Sequence, residues 1–131
     1  MLRQYGKPFV VSEFNYAAPN PTRFEGGLLM GAAAALQDWD GVFRFAWAHS
    51  REAATGVRPL DFFDVASDPA ALAAERAALL FFRRGDVRAA PQALAQIVSR
   101  DALMERFDTP LGPGFPELTL VTRVGSRIED K

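Results

Sequence analysis

The chain has 131 residues, 49% of them hydrophobic, enough for one domain with its own core and too apolar for a disordered chain. Fifteen Lys and Arg against 16 Asp and Glu leave a net charge of -1, with no basic surplus to neutralise phosphates, so neither nucleic acid nor a membrane surface is expected as a partner. The absence of cysteine excludes disulfides and thiolate chemistry, and a single histidine argues against a His-rich metal centre, so neither a metal nor a cofactor is expected.

The first eight residues hold charged side chains and no apolar core of the length a secretory signal needs, so no export signal is visible and a cytoplasmic location is the default. The longest apolar run, residues 28–36, is well short of the roughly 18 to 20 needed to span a bilayer, and a soluble protein is expected.

Residues 9–14 follow Gly6-Lys7-Pro8 and read as a short strand, mostly apolar and therefore buried on both faces as in a parallel sheet. It closes on a carboxylate, Glu13. The stretch 15–21 is turn chemistry, with Asn20 and two prolines. Thr22 then offers an N-cap, with Glu25 three residues on to complete a capping box, for a helix through about Gln37. Gly26, Gly27, Gly31 and the alanines 32–35 give that helix a small-residue face suited to close packing on a sheet. Its glycines lower helix propensity, so tertiary contact must hold it.

After a turn at residues 38–41, residues 42–47 form a second strand, aromatic and β-branched with Arg44 inside it. Strand, helix and strand in this order predict a right-handed parallel crossover. Residues 51–58 read as a loop and 59–64 as an ordered apolar turn. Asp68 as N-cap and Pro69 at the first helical position open a second helix, which ends at Gly85 after Arg83 and Arg84, in agreement with the helix dipole. Further on, residues 94–98 fit strand or helix and are read as strand, with Ser99 capping a short helix to Phe107. Residues 110–116 are a proline- and glycine-rich loop, and 118–124 alternate as a strand.

The block Gly6-Lys7-Pro8-Phe9-Val10-Val11-Ser12-Glu13-Phe14-Asn15, the helix end Leu36-Gln37-Asp38-Trp39-Asp40-Gly41 and the run Phe43-Arg44-Phe45-Ala46-Trp47 resemble the end of retaining (β/α)8-barrel glycoside hydrolases of the cellulase and β-galactosidase type. The likeness is to their seventh and eighth strands. In that family a Ser/Thr-Glu-Phe/Trp-Asn-like motif closes the seventh strand and its glutamate is the nucleophile, while an aromatic ending the eighth strand lines the sugar subsite. The matching positions are Glu13 and Trp47. Residues 62–69 resemble the segment after the last strand, and the tail resembles the start of an appended β domain.

The resemblance implies an α/β fold: a partial (β/α)8 barrel, its last two strand-helix units in residues 1–88, followed by a short β-containing tail in 89–131. The family's acid/base glutamate, in an Asn-Glu motif after the fourth strand, has no counterpart here, and neither do the first six strand-helix units. Retaining hydrolysis needs two carboxyl groups roughly 5 to 5.5 Å apart, and Glu13 alone supplies half of that pair. Two parallel strands cannot close a barrel and leave unpaired edges, so self-association that completes the sheet is expected, giving a homo-oligomer.

Beside Glu13, the expected sugar contacts are Asn15, Tyr16, Trp47 and His49. Asn15 and Tyr16 are equally plausible as ordinary turn residues, and Trp47 as core. Trp39 reads as a turn-packing residue. His49 could act as an acid near neutral pH or lie at the surface. Arg44 needs a carboxylate partner, and Glu13 on the neighbouring strand is one candidate; that pairing would keep Glu13 ionised. A substitute acid would come from Glu25, Glu52, Asp61, Asp64 or a second chain. Asp38, Asp40, Asp61 and Asp64 lack calcium-loop spacing and read as solvated turn residues. Three functions follow: a β-glycoside hydrolase acting through Glu13, an inactive remnant or carbohydrate-binding module, or an esterase-type hydrolase using Ser12 or Ser50 with His49 and Asp61 or Asp64, for which no Gly-x-Ser-x-Gly elbow is present.

Overall fold

The computed structural model describes residues 3–55, 61–105 and 114–129. Among them the chain is mixed α/β, with four short strands and five helices: β1 (Val10–Phe14), α1 (Glu25–Leu36), β2 (Gly41–Arg44), α2 (Arg51–Thr55), α3 (Pro69–Ala78), β3 (Ala93–Ser99), α4 (Arg100–Glu105), α5 (Phe115–Leu118) and β4 (Arg123–Glu129). No barrel closes. β1 pairs with β2 in parallel, as the strand-helix-strand order predicts, with an irregular register between Val11 and Phe14. A separate parallel pair joins β3 to β4 in continuous register from Ala93 opposite Arg123 to Ser99 opposite Glu129. The N-terminal segment extends that second sheet through a parallel bridge between Gln4 and Ser126. No helix among the described residues is long and apolar enough to cross a membrane.

The core is built mainly from small residues. Ala34, Ala35, Val65, Ala71 and Ala74 are buried, whereas Phe43, Trp47 and Phe62 are exposed. α1 packs on α3, so the small-residue face predicted to meet a sheet meets a helix instead. A Cβ on Gly27 would stand 2.8 Å from the Ala74 backbone, and one on Gly31 2.6 Å from the Ala78 Cα. At that approach the neighbour is backbone and cannot yield as a flexible side chain would. Gly31→Val is therefore expected to destabilise the fold by about 1–3 kcal/mol through overpacking, read as a lower urea midpoint.

β1 departs from the reading as a strand buried on both faces: Val10, Ser12 and Glu13 are exposed. Its one strand neighbour is β2, and the helices cover only one side. Phe14 and Arg44, partners across the ladder, are half-buried, the Arg44 guanidinium 5.3 Å from the Phe14 ring centroid. Arg44 pairs with Glu75 of α3 at 3.3 Å rather than with Glu13, because it extends to the helix side of β2. Burial lowers the Arg44 pKa, opposed by the negative charges of Glu75 and Asp68.

Other boundaries also shift. α1 begins at Glu25 with Phe24 at the N-cap and no side-chain cap; Thr22 hydrogen-bonds Asn20 Oδ1 instead of forming a capping box. Residues 51–55, read as loop, form α2, because Ser50 Oγ accepts from the Ala53 N–H and so caps it. β2 stops at Arg44 rather than residue 47, because Ala46 and Trp47 bond to residues 63–66 instead of to a strand. Residues 115–118, which run from the end of the predicted loop into the first residue of the predicted last strand, are helical, with Gly114 in the left-handed region at φ 80° ahead of Phe115-Pro116, and the strand begins at Arg123 rather than 118. Ser99 does cap α4, accepting from Ala102 N. Residues 59–60 and 110–113 of the predicted turn and loop, 56–58 of the predicted loop and 106–107 of the predicted helix lie outside the described residues.

α3 begins where the sequence places it. Asp68 is its N-cap, accepting from Ala70 and Ala71 N–H with Pro69 at N1, and its carboxylate also pairs with Arg23. The helix continues as π-helical turns over Leu79–Arg83 and ends at Gly85, whose φ is 81°. Burial raises the Asp68 pKa, but the hydrogen bonds from Arg23, Ala71 and Ala70 and the Arg23 charge outweigh it and hold it below the ordinary value. A carboxylate depressed in the folded state stabilises above the unfolded pKa near 3.9 and loses that contribution as pH falls through the folded value. Asp68→Asn is therefore expected to cost about 1 kcal/mol near neutral pH, with the gap to wild type closing below about pH 4 in urea titrations.

Candidate functional site

The carboxyl ends of β1 and β2 come together with the segment after α2. Phe45 N donates to Phe14 O at 2.9 Å, Ala46 N to Phe63 O at 3.1 Å, and Val65 N to Ala46 O at 3.1 Å. Asn15 Nδ2 donates to Phe63 O at 2.8 Å. These bonds lock three backbone segments into one rim. In open sheets with parallel strands, the carboxyl ends of the strands are where ligands bind, because side chains from several segments converge there.

Glu13 stands just before Phe14 at the carboxyl end of β1, within the stretch where the ladder is irregular. It is exposed. On and after the partner strand Phe43, Phe45 and Trp47 are exposed, Trp47 at 61%. The peptide between Phe45 and Ala46 is cis. An exposed carboxylate and exposed aromatic rings at the ends of paired strands can meet a polyol ring, whose hydroxyls bond a carboxylate and whose C–H face packs on an indole.

Asn15 and Tyr16 are half-buried. The Asn15 amide is committed to Phe63 O, and the Tyr16 ring packs on Phe14 at 5.5 Å and against Gly26, where a Cβ would lie 2.9 Å away. Trp39 stacks on Phe9 at 5.1 Å, the turn packing expected of it. Ser50 is engaged at the α2 N-terminus.

His49 meets Asp64, one of the two carboxylates set beside it in the esterase-type reading. Its Nδ1 lies 2.5 Å from Asp64 Oδ1, and its backbone N–H donates to the same oxygen at 3.1 Å. The Asp64 side chain is fully buried while that of His49 is half exposed. The imidazole also meets Phe45 edge to face at 5.3 Å, and Phe45 meets Phe63 at 5.7 Å. Asp64 thus reads as the buried anchor of a histidine rather than a solvated turn residue. Asp40 accepts from Phe9 N, and Asp38 pairs with Arg123. Among the described residues no group of three or more His, Asp or Glu side chains converges to hold a metal ion.

On the helix side of β2 lies an open cavity of about 300 Å³, lined by Met30, Phe43, Arg44, Glu75, Leu79 and Phe82. Comparison with protein-family models, with curated proteins and with solved structures finds no match to this chain.

Proposed function

We propose that this chain carries the nucleophile side of a hydrolase acting on β-linked glycosides, in the manner of the last two strand-helix units of a (β/α)8 barrel, with Glu13 as nucleophile and Trp47 as sugar platform. The observation that supports it is the exposed Glu13 at the carboxyl end of a parallel strand pair whose second strand leads into the exposed aromatics Phe43, Phe45 and Trp47. In a retaining reaction one Glu13 oxygen attacks the anomeric carbon, the bond to the leaving oxygen breaks, and water then releases the sugar from the glycosyl ester. The free sheet edges and exposed Val10, Phe43 and Phe45 supply the reason for assembly: a second copy of the chain would pair an edge and cover these side chains.

The test is hydrolysis of nitrophenyl β-glycosides by wild type and Glu13→Gln, alongside nitrophenyl esters. Glycoside turnover lost in the variant supports the reading. Binding of oligosaccharide without turnover replaces it with a carbohydrate-binding module, and ester cleavage insensitive to Glu13 moves the chemistry elsewhere. Trp47→Ala is expected to raise KM about tenfold with a smaller effect on kcat, since an aromatic platform contributes about 0.5–1.5 kcal/mol beyond its area. Sedimentation at micromolar concentration is expected to show a dimer or larger; a monomer with no dye-binding apolar surface would remove the assembly argument.

A further inference from the structure

We propose that His49, oriented by the buried Asp64, is the proton donor to the leaving glycosidic oxygen, the role that complements Glu13; this rests on the reading of Glu13 as nucleophile. Asp64 is fully buried, so it cannot reach substrate itself. What it can do is fix the imidazole. With Nδ1–H donated to Asp64 Oδ1, the tautomer and ring plane are set, and Nε2, on the half-exposed side chain, makes no hydrogen bond to another described residue. A second bond from the His49 backbone N–H to the same carboxylate oxygen holds the loop against rotation. The other carboxylate oxygen, Oδ2, is buried with no hydrogen-bond partner among the described residues, so His49 is the partner that the Asp64 side chain has.

The placement is equally specific. Phe45 N bonds Phe14 O, the residue next to Glu13, and the His49 ring packs against Phe45, so both groups belong to one rim. The reaction balances with these two groups. Glu13 forms a bond to the anomeric carbon as the carbon–oxygen bond breaks, and Nε2–H passes its proton to the departing oxygen, releasing an alcohol. The neutral imidazole then takes a proton from water as that water attacks the glycosyl ester, returning Glu13 as carboxylate and His49 as imidazolium. Asp64 acts through His49 and is a positioning residue.

Acid assistance matters in proportion to how poorly the leaving group departs unaided. The assembled protein is therefore assayed on a series of aryl β-glucosides and β-galactosides from 2,4-dinitrophenyl to phenyl. His49→Gln keeps an amide N–H able to bond Asp64 but cannot transfer the proton. It is expected to lower turnover of the phenyl glycosides by about 10²–10⁴-fold while leaving the dinitrophenyl glycosides within about tenfold of wild type. His49→Ala behaves the same way and recovers phenyl glycoside turnover in added imidazole, and Asp64→Asn shows the same leaving-group dependence with a smaller loss. An equal fall on both substrates, or none on either, overturns the proposal while the Glu13 reading stands on the dinitrophenyl activity. Wild type inactive even on the dinitrophenyl glycosides overturns both.

Discussion

Glu13→Gln is expected to reduce β-glycoside turnover by about 10⁴–10⁶-fold, the range seen when a covalent nucleophile is removed from a site whose other groups remain. The amide has nearly the shape of the carboxylate and no charge, so it neither attacks the anomeric carbon nor stabilises its developing positive charge. Stability should change little. Glu13 is exposed and its side chain is not the partner of Arg44, which is held by Glu75 instead, so the substitution leaves no buried cation unpaired. A variant that folds as wild type by thermal unfolding and fails only in catalysis separates loss of chemistry from loss of structure. Intact-mass analysis with a 2-deoxy-2-fluoro glycoside supplies the direct check, because slowed hydrolysis lets the glycosyl ester accumulate on Glu13 in wild type and on nothing in the variant. Labelling at another residue would reassign the nucleophile.

What the sequence disclosed depends on the range of the interaction concerned. The start of α3 is written in two adjacent residues, Asp68 and Pro69, whose capping bonds are local, and the structure has both in place. The order β1, α1, β2 was likewise legible, since each is a short period bounded by turn residues. Glu13 could be picked out, but the environment inferred for it could not be right from pattern alone. An apolar strand looks the same whether both faces are covered or one, and only the tertiary arrangement shows that one face is open. Arg44 illustrates the same limit: its carboxylate was sought on the adjacent strand, and the residue that meets it lies on α3, 31 positions along. His49 and Asp64 were both singled out among candidate acids and cation ligands. Their union needs the segment after α2 to return beside β2, through bonds of Ala46 to Phe63 and Val65 that no local signal encodes.

Sequence reading placed Gln37 only as the end of a helix and gave its side chain no role, and the largest change in stability is expected there. It is the C-cap residue of α1, 5% exposed, at the end of an apolar helix where it reads as an ordinary polar terminus. In the structure its side chain holds the C-terminal segment: Nε2 donates to Thr119 O at 2.7 Å and to Thr122 O at 2.6 Å, and Oε1 accepts from Val124 N at 2.8 Å. Its own carbonyl accepts from Arg3 Nη1 at 2.7 Å. One amide thereby satisfies three backbone groups at the start of β4. Gln37→Leu, of similar size, removes all three partners at once and leaves those groups facing an alkyl chain. Each buried unsatisfied group costs about 1–3 kcal/mol, so the two buried partners, Thr122 O and Val124 N, give an expected loss of about 2–6 kcal/mol, a large part of the 5–15 kcal/mol typical of a domain. Gln37→Glu is the informative control. It keeps the acceptor for Val124 but turns the donor facing two carbonyl oxygens into a second acceptor, so at neutral pH it should be no better than Leu, with part of the loss recovered when the carboxyl is protonated at low pH. Urea unfolding of the three proteins, followed at pH 7 and pH 4, reads both effects. Amide exchange at Val124 adds the local view: if its protection survives Gln37→Leu, the C-terminal strand is held by something other than this side chain.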